Sequence, residues 1–338
     1  MCLTRSDDPG TMLVNSAHHT SGSLASTVHP RWASSFLGSR IARRTYNKPA
    51  LTIADQITRL QAIGLAISNV AEAQRALRFI GYFRLKGYFL NFMPPQASGA
   101  PRQFNAGTTL KQVIDLYQFD RKLRVLVMDE IERLEVAIRA VICNELSLSH
   151  GPHWYLSQYE NLFASSFDIY GFLSKLNQDA RRSKDVFMRH YFNTYEIPWL
   201  PPSWVAAECL SFGKWSQLYE GLRVQKNAIA RRFNLPSDVF GSWLHSLTVL
   251  RNICAHHGRV WNRHYAIQPR VLRAHASHFT NLNLFYTLAV IVRYMTQIVD
   301  SSSDFPARLK AVFRDHPAVS ISQMGFPPGW ANDPFWQP

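Results

Sequence analysis

Between Thr109 and Leu146, the apolar residues Leu116, Phe119, Leu123, Val127, Ile131, Leu134, Ile138 and Ile142 recur every three or four positions. At 3.6 residues per turn this spacing lays them in one stripe of a long helix. Such a helix needs other helices to cover its stripe. Its opposite face carries Arg121, Lys122, Glu132, Glu135 and Arg139, charges of the kind that usually stay solvated.

The rest of the chain fits that frame. Helical spacing recurs over 52–65, 71–88, 155–163, 167–180, 183–194, 203–210, 215–222, 226–233, 236–257 and 282–299. Few segments alternate with period two, so the expected class is all-α, with at most a short strand near Phe104. Pro94-Pro95 and the Gly/Ala/Pro stretch up to Arg102 break the chain. Residues 1–46 are rich in Ser, Thr, His and Gly and lack periodicity, which predicts an extension outside the folded body or a misassigned start. Residues 47–300 form the expected helical domain. Residues 301–338 read as a tail with one short helix.

The chemistry concentrates in Leu250-Arg251-Asn252-Ile253-Cys254-Ala255-His256-His257-Gly258-Arg259-Val260-Trp261-Asn262. An imidazole moves protons near neutral pH, and a guanidinium clamps a phosphate through a planar fork. Cleaving RNA without a metal needs both groups close together. With Arg251 at 0° on a helix, Asn252 falls at about 100°, His256 at about 140° and Arg259 at about 80°, opposite the stripe of Trp243, Leu247, Leu250 and Cys254. His257, at about 240°, is expected to lean towards the core. Gly258 is the point where the helix can end. The competing reading is a solvated or helix-capping cluster. Cys254 with the two histidines matches no common zinc spacing, so no metal or other cofactor is expected.

The formal net charge is +14. Five arginines against two aspartates leave +3 in residues 1–46, so +11 belongs to the remainder. This sign favours polyanions, nucleic acid first. Arg181, Arg182, Lys184 and Arg189 form a patch that either tracks a phosphate backbone or keeps the surface soluble. The four cysteines are scattered without a CxxC, which suits buried free thiols in a reducing cytoplasm. No run approaches a membrane span, and no export signal is visible near the start.

The motif Arg-Asn-x3-His-His followed by Arg-x-Trp-Asn resembles the signature of bacterial abortive-infection (Abi) proteins of the AbiD and AbiF type, within the HEPN superfamily. Other segments follow in the family's order: Lys48-Pro49-Ala50-Leu51, Ile80-Gly81-Tyr82-Phe83-Arg84, Leu116-Tyr117-Gln118-Phe119-Asp120-Arg121, Ile131-Glu132-Arg133-Leu134-Glu135, Pro201-Pro202-Ser203-Trp204 and Glu208-Cys209-Leu210-Ser211-Phe212-Gly213. The resemblance covers residues 47 to about 300. It implies a HEPN-like helical bundle and a metal-independent endoribonuclease, with Arg251, Asn252 and His256 catalytic and His257 and Arg259 supporting. Glu135 and Arg139 match the Glu-x3-Lys/Arg element of such proteins. Four residues apart, they can pair on one helix face, as an ordinary surface ion pair also would.

By the same resemblance the substrate is RNA, the role is antiphage defence, the protein is a homodimer, and a small RNA antitoxin is a partner; no membrane is involved. Two other classes remain open on the residues alone: a non-catalytic RNA-binding regulator, and a structural helical protein whose histidines cap a helix.

Overall fold

The structure, a computed structural model, describes residues 46, 48–95 and 102–337. The expected extension, Tyr46 apart, and most of the break after Pro95 lie outside the described residues. In chain order the helices are α1 (Ile53–Ala62), α2 (Val70–Phe79), α3 (Tyr82–Phe89), α4 (Leu110–His150), α5 (Trp154–Ser157), α6 (Tyr159–Leu162) and α7 (Ile169–Arg182). They continue with α8 (Val186–Thr194), α9 (Ser203–Ala206), α10 (Phe212–Gly221), α11 (Lys226–Arg231), α12 (Ser237–Ala255), α13 (Phe285–Val299) and α14 (Phe305–Arg314). The described residues contain only two isolated bridges and no strand, so the fold is all-α; Phe104 is buried in a loop.

The α4 helix is the hub. The Thr109 hydroxyl accepts from the Gln112 N–H, and the Gln112 side chain accepts from the Thr109 N–H, so the box satisfies two of the donors a helix start leaves orphaned. Its predicted stripe is buried from Leu116 to Ile142. Helices α3, α9, α11, α12, α13 and α14 all pack on it. Truncating a stripe residue such as Ile131 to Ala should destabilise the fold by about 2–5 kcal/mol, because its side chain is fully buried.

Several expectations change. The helix predicted over 71–88 divides into α2 and α3 at Gly81, whose φ of 91° lies in the left-handed region open to glycine. The tail predicted over 301–338 is part of the packed body. Its α14 packs on α4, and Phe313, Phe326, Trp330 and Trp336 form a buried aromatic cluster. Arg293 of α13, itself buried, donates to the carbonyls of Phe335 (3.3 Å) and Gln337 (2.9 Å) and fastens the segment down. No helix among the described residues is long and apolar enough to cross a membrane.

Candidate active site at the end of helix α12

Helix α12 buries Phe240, Trp243, Leu244, Leu247, Leu250 and Cys254. It stops at Ala255, two residues earlier than the periodicity suggests. The Gly258 N–H donates to the Ile253 carbonyl at 2.7 Å and the His257 N–H to the Cys254 carbonyl at 2.9 Å, the paired bonds of a Schellman cap. His257 takes the left-handed position, with φ of 57°. Gly258 is needed for closeness, since a Cβ there would lie 3.1 Å from both the Ile253 carbonyl oxygen and its Cγ2. The expectation that His257 leans into the core is therefore corrected. The chain turns before His257, and both His256 and His257 are exposed.

One turn back, Arg251 meets α4. The buried Glu135 carboxylate lies between two guanidiniums, bonded to Arg139 through Oε1 and 3.5 Å from Arg251 Nε through Oε2. Arg139 Nη1 also lies 4.0 Å from the exposed Glu208 carboxylate. One buried anion thus orients two cations, and with the exposed Glu208 the four charges sum to zero. The Arg251 side chain stays about a third exposed, at 32 %, and its Nη1 donates to the Oδ1 of exposed Asn252 at 3.4 Å. The Glu-x3-Arg element is thereby brought against the Arg-Asn-x3-His motif.

Beyond the cap, the chain is fixed by a residue the sequence reading passed over. Asp120 is fully buried. Its Oδ1 accepts from the N–H groups of Val260 (3.0 Å) and Trp261 (2.7 Å), and its Oδ2 from the Tyr88 hydroxyl (2.6 Å) and Arg124. Burial opposes the charge on Arg124, yet Asp120 beside it holds the guanidinium's pKa above the ordinary value. Burial first, then Asp120, pushes the Tyr88 phenol well up. Arg84 donates to the His257 carbonyl at 2.7 Å. Arg259 donates to the carbonyls of Gly87 and Asn262, so its contacts brace α3 against the motif. The available signal for Asp120 was an acid flanked by the buried stripe, four residues before an arginine.

Cys254 is buried and its thiol is pushed up to about 12, so it is no nucleophile at neutral pH. The described residues hold no cluster of three or more His, Cys, Asp or Glu suited to a metal ion. Arg181 and Arg182 end α7, Lys184 lies in the link, and Arg189 sits on α8; all four are exposed. Arg181 donates to Asn177 and lies over the Phe192 ring, 4.6 Å from its centroid.

No curated protein and no solved structure matches this chain. A family profile does, over residues 75–262, from within α2 to the Asn262 that Arg259 holds, and so over more than half the chain. That stretch contains Asp120, Glu135, Arg139, Arg251 and both histidines, and by this match the chain belongs to the Abi-like protein family.

Proposed function

We propose that the protein is a metal-independent endoribonuclease of the HEPN type, of AbiD/AbiF character, acting in the cytoplasm in abortive-infection defence. The observation that carries this reading is the Glu135 carboxylate holding Arg251 and Arg139 one turn from two exposed histidines. His256 takes the proton from a ribose 2′-hydroxyl as its oxygen bonds to phosphorus; the P–O5′ bond breaks and the leaving oxygen receives a proton. The products are a 2′,3′-cyclic phosphate and a 5′-hydroxyl. A positioned acid or base contributes about 10²–10⁴-fold. Arg251 faces the charge that builds on the phosphoryl oxygens, an effect of about 3–4 kcal/mol. Asn252 orients either group by hydrogen bonding. DNA lacks the 2′-hydroxyl nucleophile and is not cut.

The reaction needs an acid as well as a base. In a HEPN-type homodimer two motifs face one cleft, and the acid is His256 of the partner subunit. The exposure of His257 favours a second reading, in which one chain supplies both imidazoles. A small RNA that occupies the same cleft would serve as the antitoxin.

The test is purified protein with total RNA in EDTA, beside Arg251→Ala and His256→Ala variants, with the cleaved ends mapped. Cyclic phosphate ends from the wild type alone are expected. Equal cleavage by all three proteins would end the assignment. Sedimentation during turnover separates the readings, because full specific activity from a monomer excludes the dimer.

A further inference from the structure

Beside the motif, on the side to which the cap turns His257, lies a pocket of about 590 Å³. Its cationic wall is Arg84, Arg121 and Arg124, with His257 at its edge; Tyr117 and Val125 add an aromatic and an apolar surface. No acidic side chain lines it. The three arginines differ in what they already hold. Arg124 is neutralised by Asp120. Arg84 gives one bond to a neutral carbonyl. Arg121 is exposed, one turn from Arg124 on α4, with no hydrogen bond or ion pair to any described residue. Two guanidinium charges therefore meet in a concave site without a counter-ion. Val125, 58 % exposed, and the half-buried Tyr117 offer a flat surface beside them.

We propose that this pocket is a subsite for a phosphodiester of single-stranded RNA. Arg84 and Arg121 grip the phosphate, and Tyr117 with Val125 carries the adjoining base. A guanidinium fork suits phosphate oxygens, and an aromatic face accepts any base. The geometry also gives the strand a path. Arg121, Met128, Glu135 and Arg139 share one face of α4. From Arg121 to Glu135 the axis rises about 21 Å. That spans about six nucleotides at the stacked rise of about 3.4 Å, and fewer if the strand is stretched. A strand in the pocket thus continues past His257 to Arg251. The exposed Glu132 lies on the same face and repels a phosphate, so the strand's phosphates are held at the two ends of this path and not at its middle. The assignment of the ligand as RNA rests on the ribonuclease reading; the anion site rests on the arginines.

The probe is a 5′-fluorescein hexauridylate carrying 2′-O-methyl groups throughout, which cannot be cut by 2′-hydroxyl attack. Its binding to the full chain is followed by anisotropy over a salt series. Arg121→Ala is the clean variant because no hydrogen bond or ion pair to a described residue is lost. It should weaken binding about tenfold and reduce the slope of log K against log salt by about 0.7. Its melting temperature should stay unchanged, and Arg59→Ala, a charge-matched change on α1 outside the pocket, should bind as the wild type does. Equal loss in Arg59→Ala and Arg121→Ala, or no binding by the wild type, overturns the subsite. Uridine monophosphate bound as tightly as the hexamer, with the same dependence on Arg121, overturns the strand in favour of a free nucleotide. Failure of the two proposals is distinguishable. Cleavage that survives with Arg121→Ala binding normally removes the subsite alone, whereas absent cleavage with Arg121-dependent hexamer binding removes the nuclease alone.

Discussion

The end of α12 and the α7–α8 surface present similar residue types in opposite settings. Around α12, Arg251 and the chain that follows the cap are positioned from below. Glu135 is buried against Arg251, and Asp120 and Arg124 are buried under the chain that follows His257. On α7–α8, four basic side chains stand in solvent, and the polar support nearest them is a single bond from Arg181 to Asn177. A guanidinium held by a buried carboxylate has a fixed place relative to a reacting atom, which transition-state stabilisation requires. A solvated patch supplies only a field, which raises the local concentration of a polyanion without aligning it.

The largest effect should follow from breaking the support beneath α12. Asp120→Ala leaves Arg124 buried without a counter-charge and removes the acceptor for the Val260 and Trp261 N–H groups. A loss of about 3–5 kcal/mol is expected in urea unfolding. Asp120→Asn, which keeps an acceptor oxygen, should lose less. A loss below about 1 kcal/mol for Asp120→Ala would mean that the chain after α12 is not held as described.

Next comes the motif itself. Arg251→Ala should lower kcat/KM for RNA cleavage by about 10²–10³-fold with little change in stability, since its side chain is partly exposed. Glu135→Gln should also reduce activity, because the anion that orients Arg251 and Arg139 is gone while an oxygen acceptor remains. Should Glu135→Gln unfold the protein while leaving the residual activity per folded molecule intact, the carboxylate would be an ordinary structural pair and the contrast with α7–α8 would weaken.

How far these settings could be read from residues alone differs by case. The stripe of α4 was legible because its period is local. The proximity of Glu135–Arg139 to Arg251 followed from the family resemblance and is now a contact. The exposure of His257 was hidden because the glycine that ends α12 occupies the position after the left-handed one, leaving a histidine in a conformation where glycine is the usual signal. Asp120 was hidden for a different reason. Its partners come from α3 and from residues 140 positions away, and no spacing rule encodes a long-range lock. The packed C-terminal segment is long-range in the same way, since its hold depends on Arg293 reaching Phe335 and Gln337.

Half-buried histidines give a smaller effect. Burial lowers the pKa of His153, His275 and His316 below the ordinary 6.5. Below pH 6.5 the unfolded chain therefore takes up protons that the folded chain refuses. Stability from these groups is fully present above 6.5 and is lost as pH falls through their lowered values. The urea midpoint should drop between pH 7.5 and pH 5, and His153→Gln should remove part of the drop.

The smallest effect belongs to the α7–α8 patch, and it tests the comparison from its weaker side. Arg182, Lys184 and Arg189 are exposed, and no buried group depends on any of them. Single alanine changes there should stay within about 0.5 kcal/mol of wild-type stability. If the patch acts only as a field, removing all three charges should lower kcat/KM a few-fold at low salt, and the deficit should vanish as the Debye length shrinks from about 10 Å at 0.1 M to about 3 Å at 1 M. The maximal rate at saturating RNA should be unchanged, because a field alters arrival and not the reacting geometry. A drop in that rate persisting at high salt would show that these residues touch the strand in the transition state. The basic surface of α7–α8 would then be a second positioned site, and the distinction between a held charge and a solvated one would fail for this protein.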